Sequence, residues 1–171
     1  MDLGLSGRTA LITGASSGLG LATARALAAE GVRVALVSRS AQKLAAAVAT
    51  VDGDPITATA DLSDGPSIDA MLAEVSAALG QVDILVANAG GPPPGGFAST
   101  KLETYSLALQ LNLLSTIRMC QALVPAMQER GWGRVVAITS STVREPSPVL
   151  IPSTTARAGL TGFLKTMAPE V

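Results

Sequence analysis

At 171 residues the chain suits one domain, and its 48% hydrophobic content supplies a sizeable core. Twelve basic residues against thirteen acidic ones leave a formal charge of −1, which excludes a nucleic-acid footprint or a polybasic membrane patch. The lack of any histidine removes the usual Ser-His-Asp triad, the zincin motif and most zinc sites, so no metal is expected and chemistry falls to Ser, Thr, Tyr, Lys, Arg, Asp and Asn.

Short β-type runs alternate with longer helical stretches. Arg8–Thr13 predicts a strand, followed by a Gly-rich turn and an Ala-rich helix over about Leu19–Glu30 that Gly31 closes. Val32–Val37 predicts a second strand, Ala41–Val51 a helix, and Pro55–Ala60 a weak third strand. Asp64–Leu79 carries apolar residues at helical spacing (Ile68, Met71, Leu72, Val75, Leu79) before Gly80. Val82–Ala87 has almost no polar interruption, as expected of a strand buried on both faces. Gly90–Gly96, with three prolines and four glycines, predicts a loop. A long helix over Leu102–Arg130, kinked at Pro125, a fifth buried strand at Val135–Thr139 and a last helix over Pro152–Met167 complete the series. Strands separated by helices imply right-handed βαβ units. The expectation is an α/β doubly wound, Rossmann-type parallel sheet of about five strands, forming one domain over residues 1–171.

The start Met1-Asp2-Leu3-Gly4 lacks a basic n-region and an apolar stretch, and runs such as Ile84–Ala87 fall far short of the ~20 residues of a spanning helix. With the single Cys120, this leads one to expect a soluble, cytoplasmic protein without a membrane or nucleic-acid partner.

The first strand-to-helix turn reads Thr13-Gly14-Ala15-Ser16-Ser17-Gly18-Leu19-Gly20, a G-x-x-x-G-x-G variant of the dinucleotide fingerprint. Gly14 suits the tight turn, Gly18 lets backbone approach a pyrophosphate, and Gly20 lets the helix pack closely. The helix N-terminus supplies free N–H groups for the anion. At the end of the second strand, where a carboxylate would accept from a ribose 2′-OH, the chain has Ser38-Arg39-Ser40. A guanidinium with flanking hydroxyls suits a 2′-phosphate, so NADP(H) is expected before NAD(H); an exposed helix-start Arg is the plain alternative.

These residues together resemble the short-chain dehydrogenase/reductase family, with the group named β-ketoacyl carrier-protein reductases nearest in flavour. The resemblance runs along essentially the whole chain. It implies that Asp61-Leu62 contacts the adenine, that Asn88-Ala89-Gly90 is the family's N-A-G motif, and that Asn112 is the active-site Asn of the long helix. It also implies that Gly133–Ser140 is the strand ending in the catalytic Ser140, with Ile138 beside the cofactor. The family's Y-x-x-x-K should open the last helix, thirteen residues beyond Ser140, but the chain reads Ser153-Thr154-Thr155-Ala156-Arg157. Serine is a much poorer proton source than tyrosine, and Arg157 keeps the charge for the ribose hydroxyls without being able to act as an acid. The i,i+4 spacing places both on one helix face, although Ser153 also fits a cap after Pro152. Atypical family members with S-x-x-x-R and a G-P-P-P-G loop are similar to this chain. Tyr105, Lys165 and a water near Asn112 are the other conceivable proton sources.

Family members usually continue through a sixth strand, a helix, a seventh strand and a substrate-covering segment, none of which precedes Val171 here. The expectation is a fragment of a longer chain, or a partner over the edge formed by Val135, Val136 and Ile138. The resemblance implies an NADP(H)-dependent oxidoreductase of a carbonyl/alcohol pair, with Asn112, Ser140, Ser153 and Arg157 as its catalytic set. The alternative is an inactive dinucleotide-binding or scaffold protein. A homo-oligomer is expected for a full-length form, through Leu107, Leu111, Leu114 and Arg118 if those do not pack on the sheet.

Overall fold

The computed structural model describes residues 3–171. Five strands, β1 (Thr9–Thr13), β2 (Arg33–Ser38), β3 (Ile56–Thr59), β4 (Ile84–Ala87) and β5 (Arg134–Ala137), form one parallel sheet in the order β3-β2-β1-β4-β5. The order reverses at β1. The chain leaves β1 for β2 on one side and later returns to place β4 on the other, which opens a crevice at the carboxyl ends of β1 and β4.

Alternation along each strand sends neighbouring side chains to opposite faces. Leu11, Ala35, Val37 and Leu85 enter one apolar cluster, where they meet Ile68, Met71 and Val75 of α3 (Gly65–Leu79) and Met119, Leu123 and Met127 of α5 (Ser115–Glu129). Ala10, Ile12, Val34, Leu36 and Val86 enter the other, with Ala24 of α1 (Gly18–Ala29) and Leu44 and Ala47 of α2 (Ala41–Val48). Helices on both faces of a parallel sheet make the fold doubly wound, as expected. The termini of α2 and α3 follow local chemistry: Ser40 accepts from the Lys43 N–H at 3.3 Å, and Asp64 accepts from the Ser67 N–H at 3.1 Å.

The fifth strand departs from expectation. Arg134–Ala137 alternates between exposed and half-buried residues and is not a buried strand. Val136 pairs in register with Val86, so it faces the α1/α2 side, yet it is 51% exposed because that helical layer does not extend over β5. The long helix is one run of 28 residues, α4 (Leu102–Leu109), a π-helical turn at Gln110–Leu114, then α5. It continues through Pro125, and its departure from α-helical hydrogen bonding falls at residues 110–114. By length and composition it is apolar enough to cross a membrane, and 44% of its apolar window is buried, with its inward side packed on the sheet. The last helix, α6 (Ile151–Met167), lies beside α4 and the π-helical turn.

Candidate active site

A cleft of about 530 Å³ lies along the carboxyl ends of the strands. The glycine turn forms one wall. Gly14 has φ +59°, and a Cβ there would stand 2.7 Å from Asn88 Nδ2 and 2.8 Å from its carbonyl oxygen. A Cβ on Gly20 would collide with the Gly14 carbonyl oxygen. Backbone therefore packs on backbone at the switch point, as the spacing predicted. Around Gly18 (φ +55°) a Cβ would meet nothing within 4 Å, which leaves the helix start open. Ser17 sits at the N-cap of α1 without a side-chain capping bond, so the first-turn N–H groups stand ready for an anion.

Asn88 ties this wall together. Its Nδ2 donates to the Gly14 carbonyl at 3.3 Å and its backbone N–H donates to Thr13 Oγ1 at 2.9 Å, while Thr13 Oγ1 donates to the Asn88 carbonyl at 2.8 Å. Asn88 lines the cleft, but its amide nitrogen is engaged in holding β1 against β4.

At the opposite end stand Ser38, Arg39, Ser40, Asp61 and Leu62. Lys43 joins them and was not among the residues singled out from sequence. It lies in the first turn of α2, the helix that Ser40 caps directly after Arg39, and that position was the available signal. The sequence has no carboxylate next to Arg39, yet the fold brings Asp61 near it. The side-chain and backbone hydrogen bonds from Ser63, at 2.7 and 2.9 Å, hold the Asp61 carboxyl below its ordinary pKa, and the Arg39 charge adds to this. Ser16, Ser17, Ala89 and Gly90 complete the cleft wall among the expected cofactor residues. Leu19 is 65% exposed on the surface of α1, and it lies outside the cleft lining together with Gly18, Gly20 and Ile138.

Of the four residues expected to be catalytic, Asn112 and Arg157 reach the Asn88-Ala89-Gly90 segment, Ser153 is bonded to Arg157, and Ser140 follows β5, two residues after the Ile138 carbonyl that Arg157 holds. The π-helical turn carries Asn112 inward to 2% exposure, where Nδ2 donates to the Gly90 carbonyl at 2.9 Å and Oδ1 is buried without a partner. Arg157, 7% exposed, donates through Nη1 to the Ile138 carbonyl at 2.8 Å, through Nη2 to the Ala89 carbonyl at 3.1 Å, and through Nε to Ser153 Oγ at 3.3 Å. Its guanidinium thus bridges the ends of β4 and β5, and desolvation pulls its pKa below the ordinary arginine value. Ser153 is buried, and the N-cap of α6 is Leu150, one turn earlier, so Ser153 sits inside the helix and not at its cap. Ser140 Oγ accepts from the Thr142 N–H at 3.2 Å and from Thr142 Oγ1 at 2.9 Å. Thr142 is a second residue that sequence reading missed. The half-buried Tyr105 and exposed Lys165 are not among the partners of this cluster. Of the residues expected at an oligomer contact, Leu107 and Leu114 are each 42% exposed, Leu107 and Leu111 both line the cleft, Leu111 also packs on the core, and Arg118 is paired with Asp69.

The glycine cradle, the open start of α1 and the basic far end fit a dinucleotide phosphate ester. Comparisons with known proteins agree with that chemistry. The sequence profile described as short chain dehydrogenase matches residues 8–171. The chain is 33% identical over 171 residues to Dehydrogenase/reductase SDR family member 4 of Homo sapiens, covering 98% of this chain and 62% of that protein. It is 35% identical over 170 residues to Ketoacyl reductase HetN of Nostoc sp., covering 98% of this chain and 59% of that protein. The crystal structure of L-sorbose reductase from Gluconobacter frateurii, complexed with NADPH and L-sorbose, is similar with a TM-score of 0.95 and 32% identity, over 100% of this chain and 66% of that one. The chain thus spans about three-fifths of the length of these curated relatives. A profile match over nearly every residue, on a fold and a glycine turn of the same kind, places the chain in the short chain dehydrogenase family.

Proposed function

We propose that the chain is an NADP(H)-dependent oxidoreductase acting on a carbonyl/alcohol pair, of the ketone- or 3-oxoacyl-reductase kind. The observation that carries this reading is the cleft itself: a wall of Gly14, Ser16 and Ser17 at one end and Ser38, Arg39, Ser40 and Lys43 at the other. Two cations and two hydroxyls match a 2′-phosphate, and the one carboxylate that lines this end, Asp61, is already hydrogen-bonded by Ser63. The NADPH bound to L-sorbose reductase supports the same choice.

Bound in this cleft, NADPH supplies the hydride. The oxygen of the substrate then needs hydrogen-bond donors as its negative charge develops. Ser140 and Ser153 are the hydroxyls available, and Arg157, by donating to Ser153 Oγ, strengthens Ser153 as a donor. Neither hydroxyl nor guanidinium releases a proton near neutral pH, so the proton that completes the alcohol comes from water. Asn112, through the Gly90 carbonyl, holds the loop that borders the cleft. A cytoplasmic setting and a second copy docked on Leu107 and Leu114 belong to the same proposal, and light scattering of the purified protein tests the latter.

The test is titration with NADPH and NADH. NADPH is expected to bind more tightly, and Arg39→Ala or Lys43→Ala each to weaken NADPH about 10- to 100-fold, the loss of one charge-assisted contact, with NADH unchanged. Equal affinity for both cofactors, or equal loss of both in the variants, overturns the 2′-phosphate assignment. One observation favours a second reading, a dinucleotide-binding protein without turnover: Arg157 spends three of its N–H groups on the protein itself. NADPH binding without oxidation by any ketone or diketone would select it.

A further inference from the structure

We infer that Thr142 is a positioning residue that makes Ser140 act solely as a hydrogen-bond donor. A serine hydroxyl has one proton to give and two lone pairs with which to accept. In this chain both acceptor positions of Ser140 Oγ are filled from one residue, by the Thr142 backbone N–H at 3.2 Å and the Thr142 hydroxyl at 2.9 Å. Thr142 is itself buried, at 7% exposure, in the short 3₁₀ turn Ser141–Val143 that follows Ser140, so neither bond is a fluctuating surface contact. The turn is anchored further by the Val143 N–H donating to the Ser140 carbonyl at 3.2 Å. What remains to Ser140 is its proton.

The consequence deepens the proposed reaction and rests on it. A donor-only hydroxyl cannot take a proton from an alcohol, but it can meet a carbonyl oxygen and gains strength as that oxygen becomes an alkoxide. Ser153 is biased in the same direction at one of its two lone pairs, because its oxygen accepts from the Arg157 guanidinium at 3.3 Å. With both lone pairs of Ser140 and one of Ser153 engaged by the protein, each hydroxyl has a proton to offer a substrate oxygen. The pair substitutes electrostatic stabilisation of the oxygen for direct protonation by a side chain. Nothing covalent happens at either serine: the hydride adds to carbon, the oxygen carries the charge, and water returns the proton.

The experiment compares wild type with Thr142→Val and Thr142→Ser. Valine keeps the shape and deletes the hydroxyl donor, while serine keeps the donor and deletes a methyl. Two readouts are used: NADPH oxidation with a vicinal diketone, and the infrared carbonyl stretch of that diketone bound to the NADP⁺ complex, which needs no turnover. We expect Thr142→Val to lower kcat about 10-fold, less than the 10²- to 10³-fold lost when an oxyanion donor is itself removed. The KM for NADPH should stay unchanged, the carbonyl red-shift should shrink, and Thr142→Ser should restore both. Thr142→Val indistinguishable from wild type in both readouts overturns the inference and leaves the oxidoreductase reading standing. A larger red-shift in Thr142→Val also overturns it, since Ser140 would then have been donating to Thr142. Failure of wild type to bind NADPH in the separate titration removes the oxidoreductase reading, and the inference with it. Thermal unfolding of each variant identifies any loss that comes from folding alone.

Discussion

Arg157 does the work of a joint between two strands. Its planar fork carries two nitrogens at a fixed separation, and they reach the Ile138 and Ala89 carbonyls, which lie beyond the last paired residues of β5 and β4. A lysine, the residue that the family resemblance leads one to expect there, has a single nitrogen on a flexible stem. Arg157→Lys should therefore leave at least one carbonyl unpaired. We expect a loss of about 1–3 kcal/mol, read as a lower urea midpoint at unchanged slope. An unchanged midpoint would mean that water satisfies the freed carbonyl equally well. Residue identity and i,i+4 spacing put Ser153 and Arg157 on one face, and they are hydrogen-bonded at 3.3 Å. The two carbonyl contacts were out of reach, because they depend on how two strands end and not on any side-chain pattern. Lys43 and Thr142 were missed for a related reason: each acts beside a more conspicuous neighbour, Arg39 or Ser140, in a turn whose conformation had to be known first.

Elements show a different boundary between the legible and the illegible. Helical periodicity located α3 to within a residue, and turn glycines closed α1 and α3 where expected. The π-helical turn at Gln110–Leu114 has no compositional signature, yet it decides that Asn112 faces inward. The apolar run at Val135–Thr139 reads as a buried strand, but burial belongs to the layers around a strand, and the α1/α2 layer stops short of Val136. The meeting of α1 with the β1–β4 crevice is where sequence and structure agree most closely, and it is testable. Gly20→Ala would drive a methyl into the Gly14 carbonyl oxygen, with Asn88 Nδ2 2.9 Å away. Alanine is the better helix former, so helix propensity alone predicts a small gain in stability. Overlap with backbone outweighs it, since a carbonyl in a tight turn has nowhere to go. We expect a destabilisation of about 1–3 kcal/mol and NADPH affinity at least about 10-fold weaker, as α1 moves off its phosphate-facing position. Stability and affinity at or above wild type would show that the close approach relaxes freely.

The whole molecule has an unusual titration profile because it has no histidine. Histidine is the side chain whose unperturbed charge change falls between about pH 5 and 8, and the chain has none. Stability should therefore be flat across this range, where a histidine-containing domain commonly shows a slope. The plateau ends on the acid side. Asp61, hydrogen-bonded by Ser63 and helped by the Arg39 charge, and Asp69, hydrogen-bonded by Arg118, both have folded-state pKa values below the ordinary 3.8. The unfolded chain binds protons at these groups first as pH falls. Their contribution is fully present above 3.8 and is lost as pH drops through the folded-state values. The exposure of Asp69 and Arg118, 55% and 45%, makes their share small and salt-sensitive. On the alkaline side, burial pushes the Cys120 thiol from 9.0 up to about 11. The unfolded thiol ionises first there, so its contribution is present below pH 9 and disappears as pH rises toward 11. Urea unfolding at half-unit pH intervals should give a midpoint that is level from about pH 5 to 8 and falls at both ends. In the same samples Cys120 should resist iodoacetamide at pH 8.5 until urea unfolds the chain. A slope near pH 6.5, or rapid alkylation of the folded protein, would contradict this account of its charge and packing.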